Sequence, residues 1–407
     1  MVDKTAKEKF KLGYRPSLDG LRGVAVLAVI TLHAYIPFTL PNNIKILGNG
    51  GFLGVDIFFV LSGFLITALL LQERESNGRI GLKNFYARRA LRLLPALFVF
   101  VAVCVLHSIF FRTPEESSGA LGDIAVITFY LSNWIPTNLY SLRHTWSLAV
   151  EEQFYLIYPV LLIGMIWLIE RLKLGRKWII YFLLFLVLVI TVYRTLIFAQ
   201  FGFTMRIYTG SDMRADSLLF GCLAAMLVAW ELLPQKQWFI NLAKAAALAA
   251  AGLLLYLVLM TKIDSSFMYY GGFTIVASAV SVIIISLQNS PPKILKSVLE
   301  WKVLVWIGRL SYGIYLWHKL VYMVIDSIPS PVLIPSETMR RIVLPLTIKI
   351  GSSLVIAAVS FYWIEKPFLR LKKRFEMITP TNNDLEVQDP RTQKTVAQSL
   401  CNASEAA

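Results

Sequence analysis

Long uninterrupted apolar stretches dominate this chain, and the polar residues between them recur at intervals that one kind of element explains. Runs able to cross a hydrocarbon core lie at about 23–40, 52–71, 93–111, 148–169, 178–200, 214–232, 238–260, 270–287, 303–326 and 342–364. Each approaches the roughly 20 residues that a helix needs to cover about 30 Å of lipid. Backbone groups in lipid must be paired within their own segment, so the runs predict helices. The expected fold is all-α, a polytopic membrane protein of about ten transmembrane helices. A shorter apolar piece from Ile124 to Ile135, bounded by Asp123 and Pro136, is too short to span and reads as interfacial or re-entrant.

Composition agrees with the pattern. Of 407 residues, 57% are hydrophobic and 16% charged, with a mean hydropathy of +0.62, which excludes an ordinary soluble domain. The net charge of +15 is explained by topology. Lys and Arg gather in the N-terminal tail, in the loop between the second and third runs and after the last run, and basic residues near span ends stay on the cytoplasmic side. Both termini are therefore expected in the cytoplasm, and anionic lipid rather than nucleic acid is the partner of the basic surface.

The domain division expected is a basic tail over 1–20, a membrane domain over 21–370 and a largely disordered cytoplasmic tail over 371–407, where the sequence turns polar. The first apolar run is not followed by a small-residue cleavage pattern, so a cleaved signal peptide is not expected. Three cysteines, Cys104, Cys222 and Cys401, offer no disulfide framework and no thiolate metal site.

Ionisable side chains at membrane depth cost on the order of 3 kcal/mol each on insertion scales, so each raises a functional hypothesis. In LRGVAVLAVITLH, Arg22 and His33 stand eleven positions apart, which returns them to within roughly 20° of one another about 16 Å apart along the axis. Arg22 then sits at the cytoplasmic mouth and His33 near mid-membrane. The plainer reading is a basic anchor plus a histidine bonded to a neighbouring helix. In FYARRALRLLP, Arg88 and Arg92 share a face at i,i+4, and Arg89 and Arg92 at i,i+3. Guanidinium groups converging at one mouth suit phosphate, because each fork takes two oxygens. Positive-inside anchoring competes with that, and the repeated choice of Arg over Lys favours phosphate.

Further polar residues punctuate the other runs: Asp56 and Ser62 in GVDIFFVLSGFLI, Ser147, Glu151, Tyr155 and Tyr158 on one stripe of TWSLAVEEQFYLIYP, Arg214 and Asp216 in MRADSLLFG, Arg309 and His318 in RLSYGIYLWH, and Glu365 in WIEKPF. Singly each reads as a structural ion pair or hydrogen bond. Together they predict a polar interior cavity.

The sequence resembles acyltransferase family 3, the integral-membrane O-acyltransferases that include polysaccharide, nodulation-factor and macrolide acyltransferases. The likeness runs from about Arg15 to Phe368 and is carried by LDGLRG with Arg22 and His33, FFVLSGFLI, FYARRALRLLP, TWSLAVEEQFY, SYGIYLWH and WIEKPF. It implies a catalytic role for His33, acyl-CoA donor contacts at Arg89 and Arg92, and an acidic position at Glu151. Some members carry a fused extracytoplasmic hydrolase-like domain, which this sequence lacks, so a single-domain enzyme is expected.

These readings combine into one expectation: transfer of an acyl group, most simply acetyl, from acyl-CoA to a hydroxyl of a carbohydrate or lipid-linked glycan in the cell inner or plasma membrane, without a metal. His33 would be the general base, oriented by Glu151 or Asp56. Arg22, Arg88, Arg89 and Arg92 would hold the donor phosphates, and Asp56, Ser147, Tyr155, Asp216 and His318 would form a polar or substrate site. The rivals are a proton-coupled permease, acyl transfer across the membrane to an extracytoplasmic acceptor, and a macrolide-type acyltransferase. A permease usually shows an internal repeat, and none is visible. A rhomboid-like protease using Ser62 lacks the surrounding residues, and a metal site on His33 and His318 lacks ligand spacing.

Overall fold

The computed structural model describes residues 10–34, 39–40, 44–45, 49–111, 119–327 and 344–375. Its helices, in chain order, are α1 (Pro16–His33), α2 (Leu53–Asn77), α3 (Leu82–Phe111), α4 (Ala120–Thr128), α5 (Trp146–Arg171), α6 (Lys177–Phe201), α7 (Met205–Thr209), α8 (Ser211–Ala229), α9 (Gln237–Met260), α10 (Phe273–Asn289), α11 (Lys293–Leu299), α12 (Lys302–Arg309), α13 (Ser311–Ser327), α14 (Leu344–Ser360) and α15 (Lys366–Lys372). The all-α expectation holds apart from a two-residue ribbon that pairs Thr39–Leu40 with Ile44–Lys45.

Seven helical segments among the described residues are long and apolar enough to cross a membrane. The helices α1, α8 and α13, of 18, 19 and 17 residues, are not among the seven. These carry Arg22 and His33, Arg214 and Asp216, and His318. These polar helices keep their charged residues Arg214 and Asp216, and His318, fully buried in the bundle.

The second helix is the mast of the bundle. Its apolar window is 83% buried, against 22% for those of α6 and α9 at the periphery. Against α8 it packs backbone to backbone, because a Cβ at Gly63 would lie 1.9 Å from the Leu218 carbonyl oxygen and one at Gly221 2.0 Å from that of Val60. Only glycine permits that approach, so any side chain at either position would push the two helices apart.

Several boundaries differ from the sequence reading. The first helix starts at Pro16, with Pro at the N-terminal position its fixed φ favours, and ends at His33 instead of running to 40. Pro37 lies just beyond, and the residue before a proline disfavours helix. His33 is therefore the last helical residue and not a mid-helix one. FYARRALRLLP does not precede a span but forms the first part of the 30-residue α3, which continues through Pro95. The run at 303–326 is two helices, broken at Leu310. The expected tail boundary at 371 falls within helical structure that extends to Phe375, and 376–407 lie outside the described residues.

The short apolar piece folds back onto the bundle. Its nine-residue α4 is followed by a turn at Tyr130, whose carbonyl accepts a 2.7 Å hydrogen bond from Gln153 of α5. Asp123 accepts the backbone N–H groups of Asn138 and Leu139 at 2.9 and 2.7 Å, which ties the connection down before α5 begins.

Candidate active site

Four helix faces meet around a cavity of about 140 Å³. Along α2 the lining positions are 55, 58, 59, 62, 65, 66 and 69, a single i,i+3/i+4 stripe about 21 Å long at 1.5 Å per residue. Phe85, Arg89, Arg92 and Leu93 supply the α3 wall, Ser147, Leu148, Glu151, Glu152 and Tyr155 the α5 wall, and Ser311, Tyr312 and Tyr315 the α13 wall. Arg22 of α1 closes the ring. The walls are mostly apolar and the charged groups sit on one level of it.

Arg89 is the hub of that level. Its guanidinium donates to Glu152 at 2.5 and 3.0 Å and to Glu151 at 3.1 Å, and its central carbon lies 3.1 Å from the centre of the Tyr155 ring. Ser62 donates to the same Glu151 oxygen at 2.7 Å. Arg92 forms no ion pair with another described residue, and Arg22 is only 3.6 Å from Asp19 of its own helix. The cavity thus holds a neutralised arginine and two guanidinium groups with spare donors, an arrangement that takes an anion.

Arg88 does not join them. It donates to Glu73 at 2.8 Å and to the Phe375 carbonyl at 2.7 Å, away from the cavity. The i,i+4 face that Arg88 shares with Arg92 is therefore not the cavity face, which is set by Arg89 and Arg92 at i,i+3.

One end of the cavity is a hydroxyl pair. Tyr315 donates to the His144 carbonyl at 2.8 Å, which leaves Ser147 to donate to the Tyr315 oxygen at 2.5 Å. Behind this pair lie three of the four histidines in the chain. The His144 and His318 ring centres are 4.9 Å apart and those of His33 and His318 5.0 Å.

Their tautomers follow from their partners. His318 Nδ1 is 2.7 Å from the Tyr315 carbonyl oxygen, which can only accept, so Nδ1 carries the proton and a neutral His318 accepts at Nε2. His33 Nδ1, 2.9 Å from that Nε2, must then be the donor. The unprotonated nitrogen of the chain is His33 Nε2. His144 donates from Nε2 to the Leu316 carbonyl at 3.2 Å, and its buried Nδ1 has no partner among the described residues.

The position of His33 is held from the helix end. Tyr322 donates to the Ile30 carbonyl at 3.1 Å, and Lys349 reaches the Ala34 carbonyl at 3.4 Å while paired with Asp326 at 2.6 Å. The hydroxyl adds a second bond to an Ile30 carbonyl that already accepts the Ala34 N–H, and the ammonium at the helix C-terminus opposes its dipole.

Asp56 and Asp216 belong elsewhere. Asp56 pairs with Arg214 at 2.6 Å and accepts from Ser217 at 3.0 Å, while Asp216 pairs with Arg194 at 2.8 Å and accepts from Thr274 at 3.1 Å. All four charged side chains are fully buried and none lines the cavity. Neither Asp56 nor Glu151 orients His33, because both are taken by arginines; the orienting group is His318. His144, Glu152, Arg194, Tyr312 and Tyr315 were not singled out in the sequence. Two had a signal: Glu152 lies beside Glu151, and His144 is one of only four histidines and immediately precedes TWSLAVEEQFY. Among the described residues no three His, Cys, Asp or Glu side chains gather as ligands for a metal ion.

The fold and site together define a polytopic helical membrane protein with an elongated interior cavity, cationic on one level, closed at one end by a hydroxyl pair with hydrogen-bonded histidines behind it. The chain belongs to the family described as Acyltransferase domain, whose pattern it matches over residues 15–363. It is 37% identical over 383 residues to the peptidoglycan O-acetyltransferase OatA of Listeria monocytogenes, covering 88% of this chain and 56% of that protein. A putative peptidoglycan O-acetyltransferase of Bacillus subtilis is 34% identical, with 87% and 55% covered. A putative O-acetyltransferase of Staphylococcus aureus is also 34% identical, with 88% and 58% covered. The chain spans about half the length of these curated relatives. No solved structure matches it.

Proposed function

We propose that this protein is a membrane O-acyltransferase that moves an acyl group, most simply acetyl, from acyl-CoA to a hydroxyl of a cell-envelope glycan. The observation that carries the reading is the hydrogen-bonded chain Tyr315 carbonyl, His318, His33, which leaves a lone pair on His33 Nε2 close to a cationic cavity. A neutral alcohol attacks a thioester poorly, and a base in reach removes its proton as the carbon–oxygen bond forms. In this scheme the acceptor oxygen bonds to the thioester carbonyl carbon and its proton passes to His33 Nε2. The tetrahedral intermediate then expels the thiolate, which takes that proton back and leaves as the thiol. His318 plays the part that an acid plays in other base pairs, fixing ring and tautomer.

Arg22 and Arg92 are the donor's phosphate sites, with Arg89 held ready between its glutamates. The pantetheine arm and acyl group extend along the α2 stripe toward Ser147 and Tyr315. Because Ser147 and Tyr315 line the cavity and His33 does not, the reading that fits best is transfer across the membrane: donor from the cytoplasmic face, acceptor from the outer one. The relatives named as peptidoglycan O-acetyltransferases make peptidoglycan the acceptor to test first. In the same reading α1, α8 and α13 complete a set of ten spans, with both termini cytoplasmic.

The test is purified protein in liposomes with radiolabelled acetyl-CoA inside and soluble peptidoglycan fragments outside. Labelled fragments are expected, and His33→Ala should abolish them. Retained turnover in that variant would remove His33 as the base, and movement of glycan with no consumption of acetyl-CoA would favour the permease.

A further inference from the structure

A second cavity, of about 290 Å³, lies between α3, α5 and the turn at Phe129 and Tyr130. It shares Arg89, Leu93, Glu152 and Tyr155 with the first cavity, so the Arg89–Glu152 ion pair and the Tyr155 ring are the partition between them. Its outer rim is apolar. Phe129 and Leu156 are 71% and 64% exposed, and Ile157, Val160 and Phe98 continue the same kind of surface around them. In a membrane helix such surface faces acyl chains, so this opening looks into the bilayer and not into water.

The opening is framed by specific contacts. Tyr86 donates to the Leu156 carbonyl at 2.8 Å and ties α3 to α5 beside it, and the turn on the other side is fixed by the Gln153 bond to the Tyr130 carbonyl at 2.7 Å. Inward, the character changes to the Arg89–Glu152 ion pair, whose formal charges cancel. Arg22 and Arg92 face only the first cavity. A phosphate arriving from the bilayer side would thus meet no net positive charge, only a guanidinium already held by two carboxylates. A hydroxyl would meet carboxylate oxygens with lone pairs to spare, since each carboxylate accepts about four hydrogen bonds.

We propose that the second cavity is a lateral lipid site, taking from the bilayer an amphiphile with one apolar chain and an uncharged, hydroxyl-bearing head. The chain lies between Leu94, Phe129 and Leu156, and the head hydrogen-bonds to Glu152 at the partition. Displacing Glu152 from Arg89 would open the site to the first cavity while Arg89 kept Glu151 and the Tyr155 ring. The lipid binding stands without the acyl-transfer reading; only the consequence of opening the partition rests on it.

The test uses the full chain in nanodiscs with no donor present, so its outcome is independent of any transfer reaction. A single-chain monoglyceride carrying a photoreactive diazirine near the end of its chain is cross-linked, and the labelled peptides are mapped by mass spectrometry. Labelling concentrated at residues 86–94, 129–130 and 152–156 is expected. An uncharged alkyl glucoside should compete with it and an alkyl phosphate of equal length should compete at least tenfold less well. Ala90→Trp, at an exposed lining position, should lower labelling there at least fivefold while labelling of α6 and α9 stays constant. Even labelling of all lipid-facing helices, indifference to Ala90→Trp, or equal competition by the phosphate would overturn the proposal.

Discussion

Two clusters in this molecule are built from the same residue types and do opposite things. Asp56, Arg214, Arg194 and Asp216 form two ion pairs with no exposure at all, and an aromatic ring lies against the Arg214 guanidinium, 3.8 Å from it to the centre of Phe273. Arg22, Arg89, Arg92, Glu151 and Glu152 line an open cavity, and two of their three cations have no carboxylate of their own there. The first cluster joins α2, α6 and α8 and has no room for a ligand. The second has room and uncommitted donors. Residue type does not distinguish them; pairing and access do.

The largest expected effect comes from breaking the closed cluster. Asp56→Ala leaves the Arg214 charge buried without its partner, a change that costs about 3–5 kcal/mol. The thermal transition in detergent should fall sharply or the protein should fail to elute as a single species. If Asp56→Ala were as stable as the parent and lost only activity, the division between the clusters would fail.

Removing the proposed base is the next largest effect, and it should touch chemistry alone. His33→Ala should lower acyl transfer by roughly 10²–10⁴-fold with an unchanged thermal transition. His318→Ala should lower kcat less, because His33 keeps its nitrogen and loses only its orientation.

A split within one motif sharpens the comparison further. If acyl-CoA is the donor, as proposed, Arg92→Ala should raise its KM roughly 10- to 100-fold, the equivalent of a charged hydrogen bond of about 1.5–3 kcal/mol, at nearly constant kcat. Arg88→Ala, which loses only Glu73 and the Phe375 carbonyl, should leave KM unchanged and act on stability. Equal KM effects at the two positions would mean that the donor reaches both.

The smallest effect is expected where an ion pair faces outward. Arg206 and Asp212 pair at 2.8 Å with 43% and 34% of their side chains exposed, and Arg206→Ala should shift stability by no more than about 1 kcal/mol. A shift as large as that of Asp56→Ala would show that burial is not what separates the clusters.

Much of the cavity was legible along the chain because helix phase is local. Ser62 lies on the α2 stripe, Arg89 and Arg92 share a face at i,i+3, and Ser147, Glu151 and Tyr155 line up at i,i+4; all of them reach the cavity. What was not legible was partnership. Glu151 and Asp56 were equally plausible orienters of His33, yet His318 holds that place from 285 positions away. Arg88 and Arg89 differ by one residue, about 100° of rotation, and that turn sends one to the tail of the last helix and the other into the cavity.

By itself the sequence determined an all-helical membrane protein, the membership of its family and the helix faces on which the polar groups stand. These depend on hydrophobic run length, which the bilayer thickness reads directly, and on the 3.6-residue period, which acts within one helix. The tertiary structure alone decided which charges cancel, which remain available and which histidine nitrogen is left bare. Those outcomes depend on contacts between helices distant in sequence, where an ångström of separation or one turn of register selects among partners of equal chemistry.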